Sequence, residues 1–65
     1  MNRIRELRTL AGMSQEELAR AAQVSQPFLS QIETEARQPS LRVLKRIAEV
    51  LGVSVSELLS DSPTE

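Results

Sequence analysis

The stretch SQEELARAAQVSQPFLSQIE, from Ser14 to Glu33, decides the fold of this chain because its pattern predicts two short helices joined by a tight turn. Serine is a preferred residue at the position that caps a helix N-terminus, and each predicted helix follows one. Ser14 is followed three residues later by Glu17, the spacing of a capping box. Ser25 directly precedes a second periodic apolar run, so the turn is predicted at about residues 22 to 24.

The two predicted helices each have an apolar and a polar side. Helical periodicity lets six apolar residues face a common core, namely Leu18, Ala19, Ala22, Val24, Leu29 and Ile32. The outer side of the second helix is then formed by Gln26, Pro27, Ser30 and Gln31. This face is uncharged, whereas a solvated helix face usually carries Lys and Glu, and amide side chains suit the edges of DNA bases. It is therefore either plain solvated surface or a surface that contacts bases.

Similar signals outside this stretch predict three more helices. Serines precede two later apolar runs, at Ser40 and Ser54, and Gly12 and Gly52 supply the left-handed residue that helix C-termini often need. The predicted class is all-α, with five helices at residues 2 or 3 to 11, 15–22, 26–33, 41–51 and 55–59. The first is expected to bury Ile4, Leu7 and either Leu10 or Ala11; the fourth is predicted to be central and to bury Leu41, Leu44, Ile47, Ala48 and Leu51.

Composition limits both the class and the chemistry of the chain. Its 65 residues hold one domain, for which a net stability of about 3 to 5 kcal/mol is expected. With no cysteine and no histidine, it lacks disulfides, thiolate metal ligands and the commonest general base. We therefore expect no enzyme activity and no cofactor. No apolar run approaches the roughly 20 residues that span a bilayer, so a soluble cytoplasmic protein without a membrane partner is expected.

Charge is distributed unevenly along the chain. The net charge is −1, but residues 1–46 hold all eight basic and five acidic side chains, whereas residues 47–65 hold only acidic ones, Glu49, Glu57, Asp61 and Glu65. A polarised molecule can present a basic face to phosphates while its other end repels them. Chance in a short chain is the alternative explanation for the asymmetry.

Taken together, these segments resemble the Cro and phage-repressor type of helix-turn-helix proteins, often called XRE-like. The matching segments are IRELR at 4–8, SQEELA at 14–19, Ala22, VS at 24–25, LSQIE at 29–33, PSL at 39–41 and IAEVLGVSVSELL at 47–59. The resemblance implies a five-helix domain over residues 1–59, followed by a short polar, frayed tail at 60–65. It also implies a bacterial or phage-encoded protein at the nucleoid whose third helix docks in the major groove of DNA.

The resemblance assigns roles to particular residues. The implied base readers are Gln26, Pro27, Ser30 and Gln31, with Thr34 as a further candidate. The implied phosphate contacts are Gln15, Ser25, Arg37 and Arg42. Arg8 and Glu33 are expected to form an internal ion pair. A homodimer is also implied, with half-sites about 34 Å apart; among the apolar residues of the fifth helix, Val55 and Leu59 are the predicted dimer contacts.

Three positions depart from the family pattern. Gln23 occupies the turn position where glycine is usual, which costs about 1 to 2 kcal/mol if its backbone is left-handed. Glu35 and Ala36 replace the usual glycine and lysine of the loop, so a carboxylate lies near the expected path of the phosphates and lowers the expected DNA affinity. Phe28, the single aromatic residue, either completes the core against the 34–39 loop or lies exposed toward DNA.

The sequence therefore predicts a sequence-specific regulator, a repressor that occupies a twofold operator on double-stranded DNA. The alternative is an antitoxin-like or accessory module that uses the same fold mainly to bind a protein partner and binds DNA weakly. The acidic loop residue and the acidic C-terminal third favour this alternative.

Overall fold

The structure, a computed structural model, describes residues 2–59, which form five α-helices and no strand. They are α1 (Ile4–Leu10), α2 (Gln15–Ala22), α3 (Gln26–Glu33), α4 (Leu41–Leu51) and α5 (Val55–Leu58). The all-α prediction is confirmed, and the bounds of α2, α3 and α4 agree with those predicted. The tail predicted at 60–65 lies outside the described residues. Within residues 2–59, no helix combines the length and apolar character needed to cross a membrane.

Serine side chains cap the four later helices, as predicted. Each serine hydroxyl accepts a hydrogen bond from the backbone N–H three residues on, and Ser14 and Ser54 form complete capping boxes with Glu17 and Glu57. Helix α1 begins one or two residues later than predicted because Asn2 lies outside it: the Asn2 side-chain oxygen accepts from the N–H of Ile4 at 3.1 Å. Because these hydrogen bonds join residues three apart in the chain, the starts of the four later helices could be predicted from the sequence.

The core is aliphatic and is centred on α4, which packs against α1, α2 and α5, while α2 also packs against α3. Its buried residues are Ile4, Leu18, Ala19, Ala22, Leu29, Ile32, Leu44, Ile47, Ala48 and Leu58. Leu7, Val24 and Leu51 are half-buried against this cluster. The start of α1 is joined to the end of α5 by a hydrogen bond of 2.8 Å from the backbone N–H of Arg3 to the carbonyl of Leu58.

Two predicted core positions are wrong. Leu10 is 74% exposed and Ala11 is exposed beyond the end of α1. At about 100° per residue, Leu10 lies roughly 120° around the helix from the buried Ile4, so it leaves the inward side. Leu41 is 59% exposed because it occupies the first turn of α4, where it faces a groove beside α5 instead of the interior.

The turn between α2 and α3 has a left-handed backbone at Gln23, with φ 64° and ψ 40°. Its N–H donates to the carbonyls of Ala19 and Arg20, which completes the end of α2. A side chain with a Cβ is strained in this conformation, whereas glycine is not. Because the backbone at Gln23 is left-handed, having glutamine instead of glycine at this position lowers the stability of the domain.

Gln23→Gly is expected to stabilise the domain by about 1 kcal/mol, because glycine removes the left-handed strain and retains the capping N–H. The measurement is the urea unfolding free energy. Gln23→Ala is the matched control: it shortens the side chain but keeps the Cβ, and it should bring no such gain. Equal stabilities for the glycine and alanine variants would contradict this explanation.

Candidate nucleic-acid interface

Helix α3 has one side fixed in the core and one side open to solvent. Its start is capped by the Ser25 hydroxyl, which accepts from the N–H of Phe28 at 3.1 Å, and Leu29 and Ile32 are completely buried. Gln26, Pro27, Gln31 and Thr34 are exposed on the outer side, and Ser30 is half-buried. All five predicted base readers therefore lie on α3 or at its end, and none of them is in the core. We call the exposed side of α3, with these five residues, the outer edge.

An ion pair between α1 and the end of α3 holds this helix. The Nε and one terminal nitrogen of Arg8 donate to the two carboxylate oxygens of Glu33 at 2.8 and 3.3 Å. The side chains are 14% and 3% exposed. The remaining terminal nitrogen of Arg8 donates to the carbonyl of Met13 at 2.9 Å. This bidentate geometry fixes the orientation of α3 relative to α1 and the start of α2.

A chain of side-chain hydrogen bonds extends from this pair to the start of α3. The Gln15 amide donates to the Glu33 carboxylate at 3.1 Å, and the Gln15 carbonyl oxygen accepts from the Gln26 amide at 3.3 Å. Gln15 is the first residue of α2, where N–H groups have no intrahelical acceptor and attract anions. The structure thus brings one predicted phosphate contact and one predicted base reader into direct contact.

The loop after α3 folds back on the helix. Glu35 has a left-handed backbone with φ 66°, and the N–H groups of Ala36 and Arg37 both donate to the carbonyl of Gln31, at 2.8 and 3.2 Å. The left-handed conformation favours glycine, which explains why the family usually has glycine at the position of Glu35. The Glu35 carboxylate accepts from the N–H of Asn2 at 2.8 Å, so it is engaged by the start of the chain.

Phe28 packs partly against the core and supports the loop, in agreement with the first of the two predicted placements. The guanidinium carbon of Arg37 lies over its ring, 5.6 Å from the centroid. A cation at this distance from an aromatic face is attracted by it. Arg37 is therefore held beside α3 while remaining exposed.

The four predicted phosphate contacts do not form one cluster. Gln15 and Ser25 lie at the starts of α2 and α3, and Arg37 lies on the loop beside Phe28. Arg42 lines a separate groove with Lys45 on α4.

Arg5 is a basic residue beside the outer edge that the sequence reasoning did not single out. It lines a depression of about 350 Å³ whose other walls are Arg8, Gln15, Ser30, Glu33 and Thr34. Within residues 2–59 no carboxylate forms a salt bridge with Arg5, whereas Arg3 and Arg20 pair with Glu6 and Glu16. The hydrogen bond from Arg3 also lowers the pKa of the Glu6 carboxyl. The spacing of three residues between Arg5 and Arg8 on one helix was the available signal.

The predicted dimer contacts differ in exposure. Leu59 is 48% exposed and lines a depression with Pro39 and Leu44, whereas Val55 is half-buried against the core. Among the described residues, no three acidic side chains come together as a metal site.

Comparisons with known proteins find relatives of this chain among transcriptional regulators. A family model described as "Helix-turn-helix" matches residues 4–58. The transcriptional regulator DdrOP3 of Deinococcus deserti is 42% identical over 57 residues, which are 88% of this chain and 44% of that protein. The phage CTXphi transcriptional repressor RstR of Vibrio cholerae is 33% identical over 63 residues, 97% of this chain and 57% of RstR.

A solved structure shares the fold of this chain. The biofilm regulator SinR, a Bacillus subtilis protein, has been crystallised in complex with DNA. That structure superposes with a TM-score of 0.83 and 41% identity, covering 89% of this chain and 94% of the SinR chain. The present chain spans less than two thirds of the length of DdrOP3 and RstR.

Proposed function

The chain belongs to the helix-turn-helix family of the Cro and phage-repressor type. On that premise we propose that it is a transcriptional regulator that binds double-stranded DNA sequence-specifically. The observation that carries the proposal is the outer edge of α3, which is uncharged and mostly polar. Four of its five residues are exposed, while the other side of the helix is fixed by the core and by Arg8 and Glu33. A helix held in this way can enter the major groove without being reordered.

The proposed base contacts follow from the chemistry of the outer edge. Gln26 and Gln31 can each donate to and accept from the N6 and N7 edge of adenine, and the ring of Pro27 suits a thymine methyl. Ser30 and Thr34 supply hydroxyl groups at the neighbouring positions. Because Gln26 is held by Gln15, its amide is partly positioned before DNA binds.

The proposed phosphate contacts surround this edge. Gln15 and Ser25 lie at helix N-termini, where backbone N–H groups favour an anion. Arg37 and Arg42 add positive charge after α3. Arg5 extends this set on the side of α1, since it shares a depression with Ser30 and Thr34.

We further propose that the domain at residues 1–59 acts as a homodimer on a twofold operator and represses by occupying it. One recognition helix reads too few base pairs for selectivity, and a dimer doubles the site with half-sites about 34 Å apart. Leu59, just after α5, supplies exposed apolar area for the contact between subunits, and the half-buried Val55, the first residue of α5, is the second proposed contact.

Selection of bound duplexes from a random DNA library tests the proposal, because it yields the site, its symmetry and the half-site spacing together. A symmetric site with half-sites about one helical turn apart is expected. Enrichment of no sequence at moderate salt would overturn the regulator function, and a single asymmetric half-site would overturn the dimer alone.

Gln31→Ala is expected to weaken binding to the selected site by about 1 to 3 kcal/mol and to relax the preference at one base pair of each half-site, because a bidentate contact to a base edge is lost. Repeating the selection with the variant measures the preference. Gln38→Ala, on the exposed loop, is the matched control for loss of an amide and should select the original site. An unchanged preference in the Gln31 variant would remove this residue from the base readers.

Arg5→Ala is expected to make the plot of log affinity against log salt concentration less steep, by about 0.9 per bound copy, because one phosphate contact is lost. It should weaken binding to all DNA sequences equally, since a phosphate contact carries no base information. Titrations at several salt concentrations measure the slope. Arg20→Ala removes one positive charge at an exposed position paired with Glu16 and serves as the control. Equal slopes for the two variants would contradict a phosphate contact at Arg5.

A further inference from the structure

A groove with an apolar floor lies between the outward side of α4 and the segment that leads into α5. It has a volume of about 670 Å³. The floor is formed by Leu41, Ala48, Val53 and Val55. Leu41 is the most exposed of the four at 59%, although its position in the apolar pattern of α4 predicts burial. An apolar surface of this kind, rimmed by polar residues, is typical of an interaction site.

The rim of the groove is basic. Arg42, Lys45 and Arg46 line it, and Glu49 is the one carboxylate among the lining residues that the structure describes. Arg46 is held in place because one of its terminal nitrogens donates to the carbonyl of Ala22, at the end of α2, at 3.3 Å. The groove therefore presents an excess of positive charge along the same helix whose first turn exposes Leu41.

The proposed DNA contacts do not account for this surface. None of the five base readers lines the groove; Arg42 is the one proposed phosphate contact that does, and Val55 is the one proposed dimer contact that does. A DNA backbone could approach the cations, but the apolar floor would gain nothing from phosphate oxygens. The groove is therefore suited to a ligand that is both apolar and acidic.

We propose that this groove binds an amphipathic helix of a partner protein, with acidic side chains beside its apolar stripe. The charges are complementary, because acidic residues of the partner would face Arg42, Lys45 and Arg46. The length of α4 sets the length of helix that the groove can hold: its 11 residues extend over roughly 16 Å, or about three helical turns. Burial of apolar anchors at helical spacing is the usual way in which a groove holds such a helix.

Two other occupants fit the groove less well. Residues 60–65 carry two acidic side chains, Asp61 and Glu65, but no aliphatic or aromatic residue, so they lack the apolar stripe that would cover the floor. A second copy of the chain would bring its own basic α4 rim toward this one if the groove paired with itself, so like charges would oppose.

The test uses a synthetic helical peptide of about 15 residues, with leucines along one stripe and glutamates beside it, so that a central part of about 11 residues matches the length of α4. Its counterpart carries lysine in place of every glutamate. We expect the acidic peptide to bind, to shift the NMR amide resonances of the groove residues, and to bind at least about tenfold more tightly than the basic peptide at low salt. Equal affinities, or shifts confined to other surfaces, would overturn the proposal.

Two variants examine the floor and the rim separately. Leu41→Ser and Lys45→Glu alter exposed side chains, and each should weaken the acidic peptide at least about fivefold while selecting the same DNA site as the unaltered chain. Arg20→Glu makes the same change of charge on α2, away from the groove, and should leave peptide affinity unchanged. If Leu41→Ser instead abolishes self-association, or if truncation after Leu59 opens the groove to the peptide, the occupant is a second copy or the tail, and the proposal fails.

Discussion

Arg8→Ala is expected to cost about 3 to 5 kcal/mol of the free energy of unfolding, which is as large as the stability expected for a domain of this size. The loss exceeds that of an ordinary salt bridge because the Glu33 side chain is 3% exposed and would keep a buried charge without its partner. The carbonyl of Met13 would lose its donor as well. We expect a population that is largely unfolded at room temperature.

Urea titration and the melting temperature measure this effect. Arg20→Ala is the control, because the pair of Arg20 with Glu16 is exposed and contributes under about 1 kcal/mol. A double-mutant cycle with Glu33→Gln then isolates the coupling between Arg8 and Glu33. An unchanged melting temperature for Arg8→Ala would show that the pair does not hold α3 in solution.

Ile32→Ala is expected to cost about 2 to 5 kcal/mol, because it removes three carbons from a completely buried position on the inner side of α3 and leaves a cavity. The adjacent Gln31 lies on the outer edge and is exposed, so Gln31→Ala should change the stability by under about 0.5 kcal/mol. Two neighbouring substitutions on one helix are therefore expected to separate folding from recognition.

Equilibrium unfolding of both variants, together with DNA titration of Gln31→Ala, makes this comparison. The expected result is an Ile32 variant that loses its cooperative transition and a Gln31 variant that keeps the transition but loses base preference. Comparable destabilisation by both substitutions would mean that Gln31 also packs against the protein. The assignment of the outer edge to DNA would then be wrong.

The fold produces the site by fixing the inner side and the end of α3. The buried Leu29 and Ile32 set the position of α3, and Arg8 with Glu33 fixes its orientation. Gln15 then connects this ion pair to Gln26 on the outer edge. Recognition residues supported in this way lose little conformational entropy when DNA binds, since their backbone and one amide are already placed.

The limits of sequence reasoning are visible in individual residues. Leu10 and Leu41 fit an apolar helical pattern, but both are exposed: α1 turns Leu10 away from the core, and within residues 2–59 no helix covers the first turn of α4 at Leu41. Gln23 and Glu35 were identified as departures from a glycine pattern, and both have positive φ in the structure. The hydrogen bond from Asn2 to the carbonyl of Ile32, which ties the start of the chain to α3, had no sequence signal.

The sequence by itself determined the all-α class, the starts of α2 to α5 and the two-sided character of α3. These features depend on hydrogen bonds between residues three apart and on helical periodicity. Both are local, so they can be predicted from the order of the residues. Only the tertiary structure decided that Arg5 lies beside Ser30, that Gln15 holds Gln26, and that Leu41 faces a basic groove. Such neighbours come from distant parts of the chain, and they are fixed by how the helices pack around α4.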